Sequence, residues 1–321
     1  MALGEFDLIA RYFKRPVTRA ALGVGDDCAL LCPTPGQQLA VSTDLLVEGR
    51  HFLSTVAPER LGHKALAVNL SDLAASGASP LAFTLSLSMP RAEERFLAPF
   101  AQGLLALADA HGIELVGGDT TGGPVLCIGI TVMGEVPPGQ ALLRSGAQAG
   151  DEIWVSGCLG DARLALEVFR GSLSLSGDAF DQVRQAMECP TPRVELGLAL
   201  RGVASAAIDV SDGLLGDLGH VLRASSVGAS LELAAFPCSA ILAAQTEAWQ
   251  RTCLLTGGDD YELLFTAPAS RHQAVLQASA AAHTPVHCIG RVQAADQGLV
   301  VTLQGQPLPL AGLAAFDHFK S

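Results

Sequence analysis

Short apolar segments alternate with longer segments whose apolar residues recur three and four apart, and this alternation runs the length of the chain. TLSLSM (84–89), VLCIGITVMG (125–134), EIWVSG (152–157), LLFTA (263–267) and LVVTL (299–303) read as strands, as do the stretches at 39–47, 113–119, 203–212 and 231–233. Residues 4–13 (GEFDLIARYF) read as a short amphipathic helix. A helix is predicted over 58–75, opened by Pro58, with Leu61, Ala65, Val68 and Asp72 on one face. Two more follow: one over 91–110 with Phe96, Phe100, Leu104 and Leu107 inward, one from Gly213 with Leu214, Leu218, Val221 and Leu222 inward. Strand and helix alternate in both halves, so the fold class is α/β, or α+β. A chain of 321 residues is long for one core and comfortable for two. Val136-Pro137-Pro138-Gly139 breaks the pattern, dividing the chain into domains 1–137 and 138–321.

Charge narrows the partners. At a formal net charge of -12 the chain has no basic block with which to release counterions from nucleic acid or to meet an anionic membrane. No stretch approaches the roughly 20 uncharged apolar residues of a membrane helix, and the N-terminus, with Glu5 and Asp7, is no signal peptide. The eight cysteines contain no CxxC pair; Cys28 and Cys32 are the nearest couple, without a following His-x-x-x-His. They read as reduced thiols, which suits the cytoplasm.

The recurrent chemical feature is an apolar strand that ends in aspartate. It occurs at Ser42-Thr43-Asp44, at Gly117-Gly118-Asp119 and at Asp209-Val210-Ser211-Asp212, with Asp27 in the acidic turn Gly25-Asp26-Asp27. In α/β sheets ligands collect beyond the carboxyl ends of strands, so such carboxylates can converge. Converging carboxylates repel one another unless cations neutralise them, and oxygen-only ligands suit magnesium. Each motif alone has a plainer explanation, because Asp after a strand is also a common turn former or helix N-cap. That holds most for Asp212, at the start of a helix. Capping cannot account for Asp72, an acid within a helix on its apolar face.

No G-x-x-x-x-G-K-[ST], strand-linked G-x-G-x-x-G or G-x-S-x-G occurs. His51, His63, His111, His220 and His318 have no paired base or thiol in sequence, and no covalent nucleophile stands out. Gly257-Gly258-Asp259-Asp260-Tyr261-Glu262 reads equally as a substrate-facing loop or a β-turn.

GEFDLIARYF, GVGDDCALL, STDLLVEGRHF, KALAVNLSDLAASGA, VGGDTTGGP, LLRSGAQAGD, AIDVSDGLLGDLGH, TGGDDYELLFT and the terminal FDHF follow one another in an order that resembles the thiamine-monophosphate kinase family, over nearly the whole chain. The resemblance implies transfer of the ATP γ-phosphoryl group to thiamine monophosphate. It implies two α/β domains of the aminoimidazole ribonucleotide synthetase type, the N-terminal one forming a homodimer with nucleotide near its interface. It further implies several Mg2+ ions on Asp27, Ser42, Thr43, Asp44, Asp72, Asp119, Asp209 and Asp212. Nucleotide contacts would be Gly118, Asp119, Arg144 and Ser211; the thiamine-phosphate side would be His51, Asp259 and Phe316. The family usually has Glu at the Asp259 position, a longer side chain, so a water-mediated contact is expected here. Phe316 stands where Tyr or Trp is common, and Ala110-His111 where an aromatic often stacks on the base. The alternatives are a sibling ATP-dependent enzyme of the same superfamily, or a non-catalytic nucleotide or thiamine-phosphate binding protein. Against selenophosphate synthetase, the first residues carry no cysteine.

Overall fold

The computed structural model describes residues 4–310. The chain forms two compact units. The first takes the chain up to Leu73 together with Ala78–Gly139; the second takes Ala74–Gly77 and the chain from Gln140 onward.

The first unit follows the sequence periodicity closely. Its elements are α1 (Glu5–Tyr12), β1 (Gln38–Val47), α2 (Pro58–Ala75), β2 (Ser79–Met89), α3 (Glu94–His111), β3 (Glu114–Gly122) and β4 (Cys127–Val136). The strands form one sheet in the order β1-β4-β2-β3, in which β2 and β3 are parallel and the other pairs antiparallel. Leu85, Leu87 and Met89 of β2 and Ile128, Ile130 and Val132 of β4 point to one face and are buried with Leu66, Leu70, Leu97, Phe100 and Leu104 of the helices. Helices α2 and α3 approach closely because each has a glycine at the crossing. A Cβ on Gly62 would lie 2.0 Å from the Phe100 carbonyl oxygen, and one on Gly103 1.9 Å from that of Glu59.

A carboxylate fastens the segment after α1 to this sheet. Glu114 at the start of β3 accepts hydrogen bonds from the N–H groups of Thr18, Arg19 and Ala20 and from the Thr18 hydroxyl. Burial raises the Glu114 pKa, but these four donors outweigh it and bring it down to about 2.

The second unit contains β5 (Glu152–Ser156), α4 (Asp161–Phe169), α5 (Gly177–Glu188), α6 (Val194–Ala199), β6 (Ala206–Asp209), α7 (Leu214–Ser225), β7 (Gly228–Glu232), α8 (Ala240–Ala243), α9 (Glu247–Thr256), β8 (Leu263–Ala267), α10 (His272–Ala281), β9 (Val286–Gln293), β10 (Leu299–Leu303) and β11 (Gln306–Pro307). Its seven strands run in the order β11-β10-β7-β9-β5-β8-β6. Ile153, Val155, Ile208 and Leu264 face a core with Leu164, Val183, Leu218 and Leu254 of the helices. Trp154 points the other way, stacking on Phe265 and meeting His272 of α10, so helices cover both faces of the sheet.

Mixed helix and sheet in both units is the expected fold class. Strand β9 was not among the expected strands, yet it lies mid-sheet between β7 and β5. Its sequence, VHCIGRVQ, has no clean alternation, and Gly290 packs so tightly that a Cβ there would sit 2.2 Å from the Ser230 carbonyl oxygen. Strand β6 is four residues, shorter than the expected 203–212. None of the eight cysteines is in a disulfide, and among the described residues no helix is long and apolar enough to cross a membrane.

Candidate functional site

In the first unit, strand β1 and helix α2 build an oxygen-rich corner. The period of two places Ser42 and Asp44 on one side of β1, and the helical period places Ala65, Asn69 and Asp72 on one side of α2. The two sides meet: the Ser42 hydroxyl donates to Asp72, and the Asp44 N–H donates to the Asn69 side-chain oxygen at 3.2 Å. Asn69 is itself buried and oriented by donating to the Ala65 carbonyl at 3.0 Å. Asp72 therefore sits on the apolar face of α2 because it faces the hydroxyl of Ser42. Asn69 escaped the sequence reading; its signal was a second polar residue on that face, three before Asp72.

Thr43 does not join this corner. It projects to the opposite side of β1, where its hydroxyl donates to the Ile130 carbonyl at 3.0 Å and accepts from Thr131 at 3.1 Å. Asp27 is exposed in its turn, where its N–H bonds to the Asp26 side chain at 2.8 Å. His51 closes the turn after β1: the Val47 N–H donates to Nδ1 at 3.0 Å, which leaves the ring proton on Nε2.

Asp119 lies in β3 opposite Ser86, one residue after Gly118. Gly118 has φ of 150°, and a Cβ would lie 1.9 Å from the Leu85 carbonyl oxygen, so no other residue fits. Gly117, Gly118, Asp119 and Thr120 border a cleft whose other wall is apolar, made by Ile9, Phe13, Val24, Leu85 and Leu115.

In the second unit, β6 ends in Asp209, which is buried, and the chain turns through Ser211 and Asp212 into α7. The N-cap of α7 is Gly213. One oxygen of Asp217, inside the helix, accepts the N–H groups of Ser211, Asp212 and Gly213, each at 3.1 Å. Burial and the Asp212 charge raise the Asp217 carboxyl, the three donors lower it, and the balance lies at about 7. Asp217 thus sets the turn that presents Ser211 and Asp212, a role its place in GLLGDLGH does not advertise.

The Arg144 loop is tied to the far end of α7. Ser225 Oγ accepts from the N–H groups of Gly146 and Ala147 at 3.1 Å and donates to the Arg144 carbonyl at 3.3 Å. On the same helix Arg223 donates to Nδ1 of His220 at 3.1 Å. Burial, then the charges of Arg223 and Arg144, lower the His220 pKa against the opposing pull of Asp212.

Asp259 lies in the connection from α9 to β8, so this acidic loop is not a hairpin turn. Its N–H donates to the Ser211 carbonyl at 2.9 Å, which ties the loop to the Ser211 turn. At its end, buried Glu262 accepts from Ser156 Oγ and from both arms of the Arg193 fork. Phe316 lies outside the described residues.

Among the described residues, no three His, Cys, Asp or Glu side chains form a ready metal cage. Magnesium is commonly held by one or two carboxylates together with water and substrate phosphate. The Ser42–Asp72 corner, with Asp44 beside it, offers only hard oxygen donors and fits such an ion.

Residues 25–136 match the model of the AIR synthase related protein N-terminal domain, and 148–302 match that of the C-terminal domain. The thiamine-monophosphate kinase of Escherichia coli (strain K12) is 44% identical over 327 residues, spanning 100% of each chain. The chain belongs to the thiamine-monophosphate kinase family. The Bacillus subtilis (strain 168) thiamine-monophosphate kinase is 32% identical across 99% of this chain and 100% of its own. The crystal structure of the Stenotrophomonas maltophilia K279a thiamine-monophosphate kinase aligns with a TM-score of 0.84 at 44% identity, covering 94% of this chain and 95% of that one. A further family member, AaThiL, complexed with AMPPCP and TMP, aligns at 0.77 with 29% identity, covering 90% of this chain and 89% of its own.

Proposed function

We propose that this chain phosphorylates thiamine monophosphate with ATP, giving thiamine diphosphate and ADP as the closing step of thiamine diphosphate formation in the cytoplasm. The observation that carries the reading is the set of oxygen ligands on β1, α2, β3 and the β6–α7 turn, which lie within β1 and β3 rather than at the strand ends expected and end a strand only at Asp209. Asn69 and Asp217 hold parts of it, in a chain that aligns end to end with thiamine-monophosphate kinases. The relative complexed with AMPPCP, an ATP analogue, and TMP supports the same pair of substrates.

Transfer is direct and in line. A terminal oxygen of the acceptor phosphate forms the new P–O bond as the bond to ADP breaks. The acceptor is already an anion, so no strong general base is needed, and no residue acts as a covalent nucleophile. Asp27, Ser42, Thr43, Asp44, Asp72, Asp119, Asp209 and Asp212 would hold several Mg2+ ions, although the Thr43 hydroxyl is turned away from the Ser42–Asp72 corner. Bound magnesium supplies charge neutralisation between the two polyanions. Gly118, Asp119, Arg144 and Ser211 hold the nucleotide, with Arg144 able to grip phosphate by two N–H bonds. The proposed thiamine-phosphate contacts are His51, Asp259 and Phe316, the last outside the described residues.

The first domain, 1–137, is proposed to form the homodimer and carry the nucleotide and magnesium, and the second, 138–321, to complete the site. Strand β1 supports the dimer. It is an edge strand, and Leu39, Val41 and Leu45 on its outer side are 46%, 61% and 58% exposed. An edge strand with an uncovered apolar row is a pairing surface.

Steady-state ADP release tests the reading: it should require thiamine monophosphate and magnesium together. Equal ADP release without thiamine monophosphate, or with unphosphorylated thiamine in its place, would contradict it.

A further inference from the structure

The segment Gly257–Glu262 carries two residues in a conformation that side chains disfavour. Asp259 has φ of 66° and Tyr261 φ of 50°. Asp tolerates the left-handed region better than most residues, but a bulky aromatic there is an outlier that persists only where its surroundings over-determine it. They do so here. The Asp259 N–H is bound to the Ser211 carbonyl at 2.9 Å and the Tyr261 N–H to the Val210 carbonyl at 2.8 Å. The Val210 N–H donates in return to the Glu262 carbonyl at 2.8 Å. Between them, the Asp260 carboxylate accepts from the Gly160 N–H at 2.9 Å. Gly258 lies against the Ser211 turn so closely that a Cβ would sit 2.4 Å from the Ser211 carbonyl oxygen.

This conformation brings the Tyr261 side chain back to Asp259. Tyr261 is buried, with 8% of its surface exposed, and its hydroxyl reaches back two residues to donate to Asp259 Oδ1 at 3.1 Å. Glycine at 261 would relieve the backbone, and phenylalanine would fill the same space. The hydroxyl is what those residues would not supply.

We infer that Tyr261 is a positioning residue for Asp259, its hydroxyl fixing the plane of the carboxylate that receives the thiamine moiety. The inference rests on the reading of Asp259 as a substrate contact. Thiamine presents an exocyclic amine, which donates N–H, and a thiazolium ring, which carries positive charge. A carboxylate held in one orientation discriminates for such a group, while a freely rotating one must be ordered as substrate binds. Aspartate tolerates φ of 66° and lies within reach of the hydroxyl two residues on.

The test is a double-mutant cycle of Tyr261→Phe and Asp259→Asn, with KM for thiamine monophosphate, KM for ATP and kcat measured for all four proteins. Tyr261→Phe removes a single oxygen from a buried ring, so the fold should survive, and a thermal melt checks this. The expected result is a rise of about five- to tenfold in KM for thiamine monophosphate, with KM for ATP and kcat within about twofold of the unaltered enzyme. Asp259→Asn should raise the same KM further, and adding Tyr261→Phe to it should change KM by clearly less than Tyr261→Phe does alone, because the uncharged amide oxygen takes a weaker hydrogen bond from the hydroxyl. If Asp259→Asn raises that KM while Tyr261→Phe leaves it unchanged, or if the two effects simply add, the positioning role is overturned. A Tyr261→Phe enzyme that melts early and loses kcat and both KM values together has lost general support for the loop, which also overturns it. If Asp259→Asn leaves KM for thiamine monophosphate unaltered, the reading of Asp259 itself fails, and the inference with it.

Discussion

Ser42, on strand β1, donates its hydroxyl hydrogen bond to Asp72, thirty residues further on in helix α2. This contact explains an acid on an apolar helix face and binds together two of the residues proposed as magnesium ligands. Asp72→Asn should retain the contact, because an amide oxygen still accepts from a hydroxyl, yet remove the charge. The expected outcome is a magnesium concentration for half-maximal rate raised about 10- to 100-fold, with an unchanged circular-dichroism melt. Normal rates at low magnesium in this variant would refute the assignment.

Arg193 and Glu262 form a two-pronged ion pair whose carboxylate is buried, with Ser156 as a third partner. Gly157 is needed beside it, since a Cβ there would lie 1.9 Å from Glu262 Oε1. Arg193→Ala leaves a buried carboxylate without its cation and should destabilise the protein by about 3 kcal/mol. Urea denaturation measures this; a loss below ~0.5 kcal/mol would mean the pair is a surface contact in energetic terms.

Glu114 gives a pH signature. Its pKa falls from 4.5 to about 2 on folding, so its contribution to stability is full above pH 4.5 and is lost as pH drops towards 2. Glu114→Gln should cost about 1 kcal/mol at pH 7, a modest value because the site is partly open to water. The gap between variant and unaltered protein should narrow steadily below pH 4.5. A gap that stays constant to pH 2.5 would show that the carboxylate's charge is irrelevant to the tether.

The apolar row on β1 can be tested without reference to catalysis. Val41, 61% exposed, is the most open of its three large side chains. Val41→Asp should weaken self-association by about 30-fold, read by sedimentation equilibrium. A variant that sediments as the unaltered protein does would move the dimer contact elsewhere.

Much of this was legible in the sequence, and the exceptions share a cause. Helix α2 starts and ends at the residues its periodicity marks, Pro58 and Ala75, because its apolar stripe and opening proline are local signals. Asp72 stood out for the same reason. Strand β9 did not, because a mid-sheet strand containing Gly290 takes its place from packing against β5 and β7 rather than from its own alternation. Asn69, Asp217 and Tyr261 act through hydrogen bonds to other residues' backbone or carboxylates; of the three only Asn69 leaves a periodic trace, on the same face of α2 as Asp72. Thr43 shows the converse. A run of three consecutive polar residues in a strand cannot direct all its side chains to one side, and here the middle one turns away.

The most direct measurement is the product ratio when the enzyme is given γ-labelled ATP, magnesium and thiamine monophosphate. Labelled thiamine diphosphate and ADP should accumulate one to one, with no label trapped on protein and no product in EDTA. Label released as inorganic phosphate with no thiamine diphosphate formed, or label held on the enzyme during turnover, would contradict direct phosphoryl transfer.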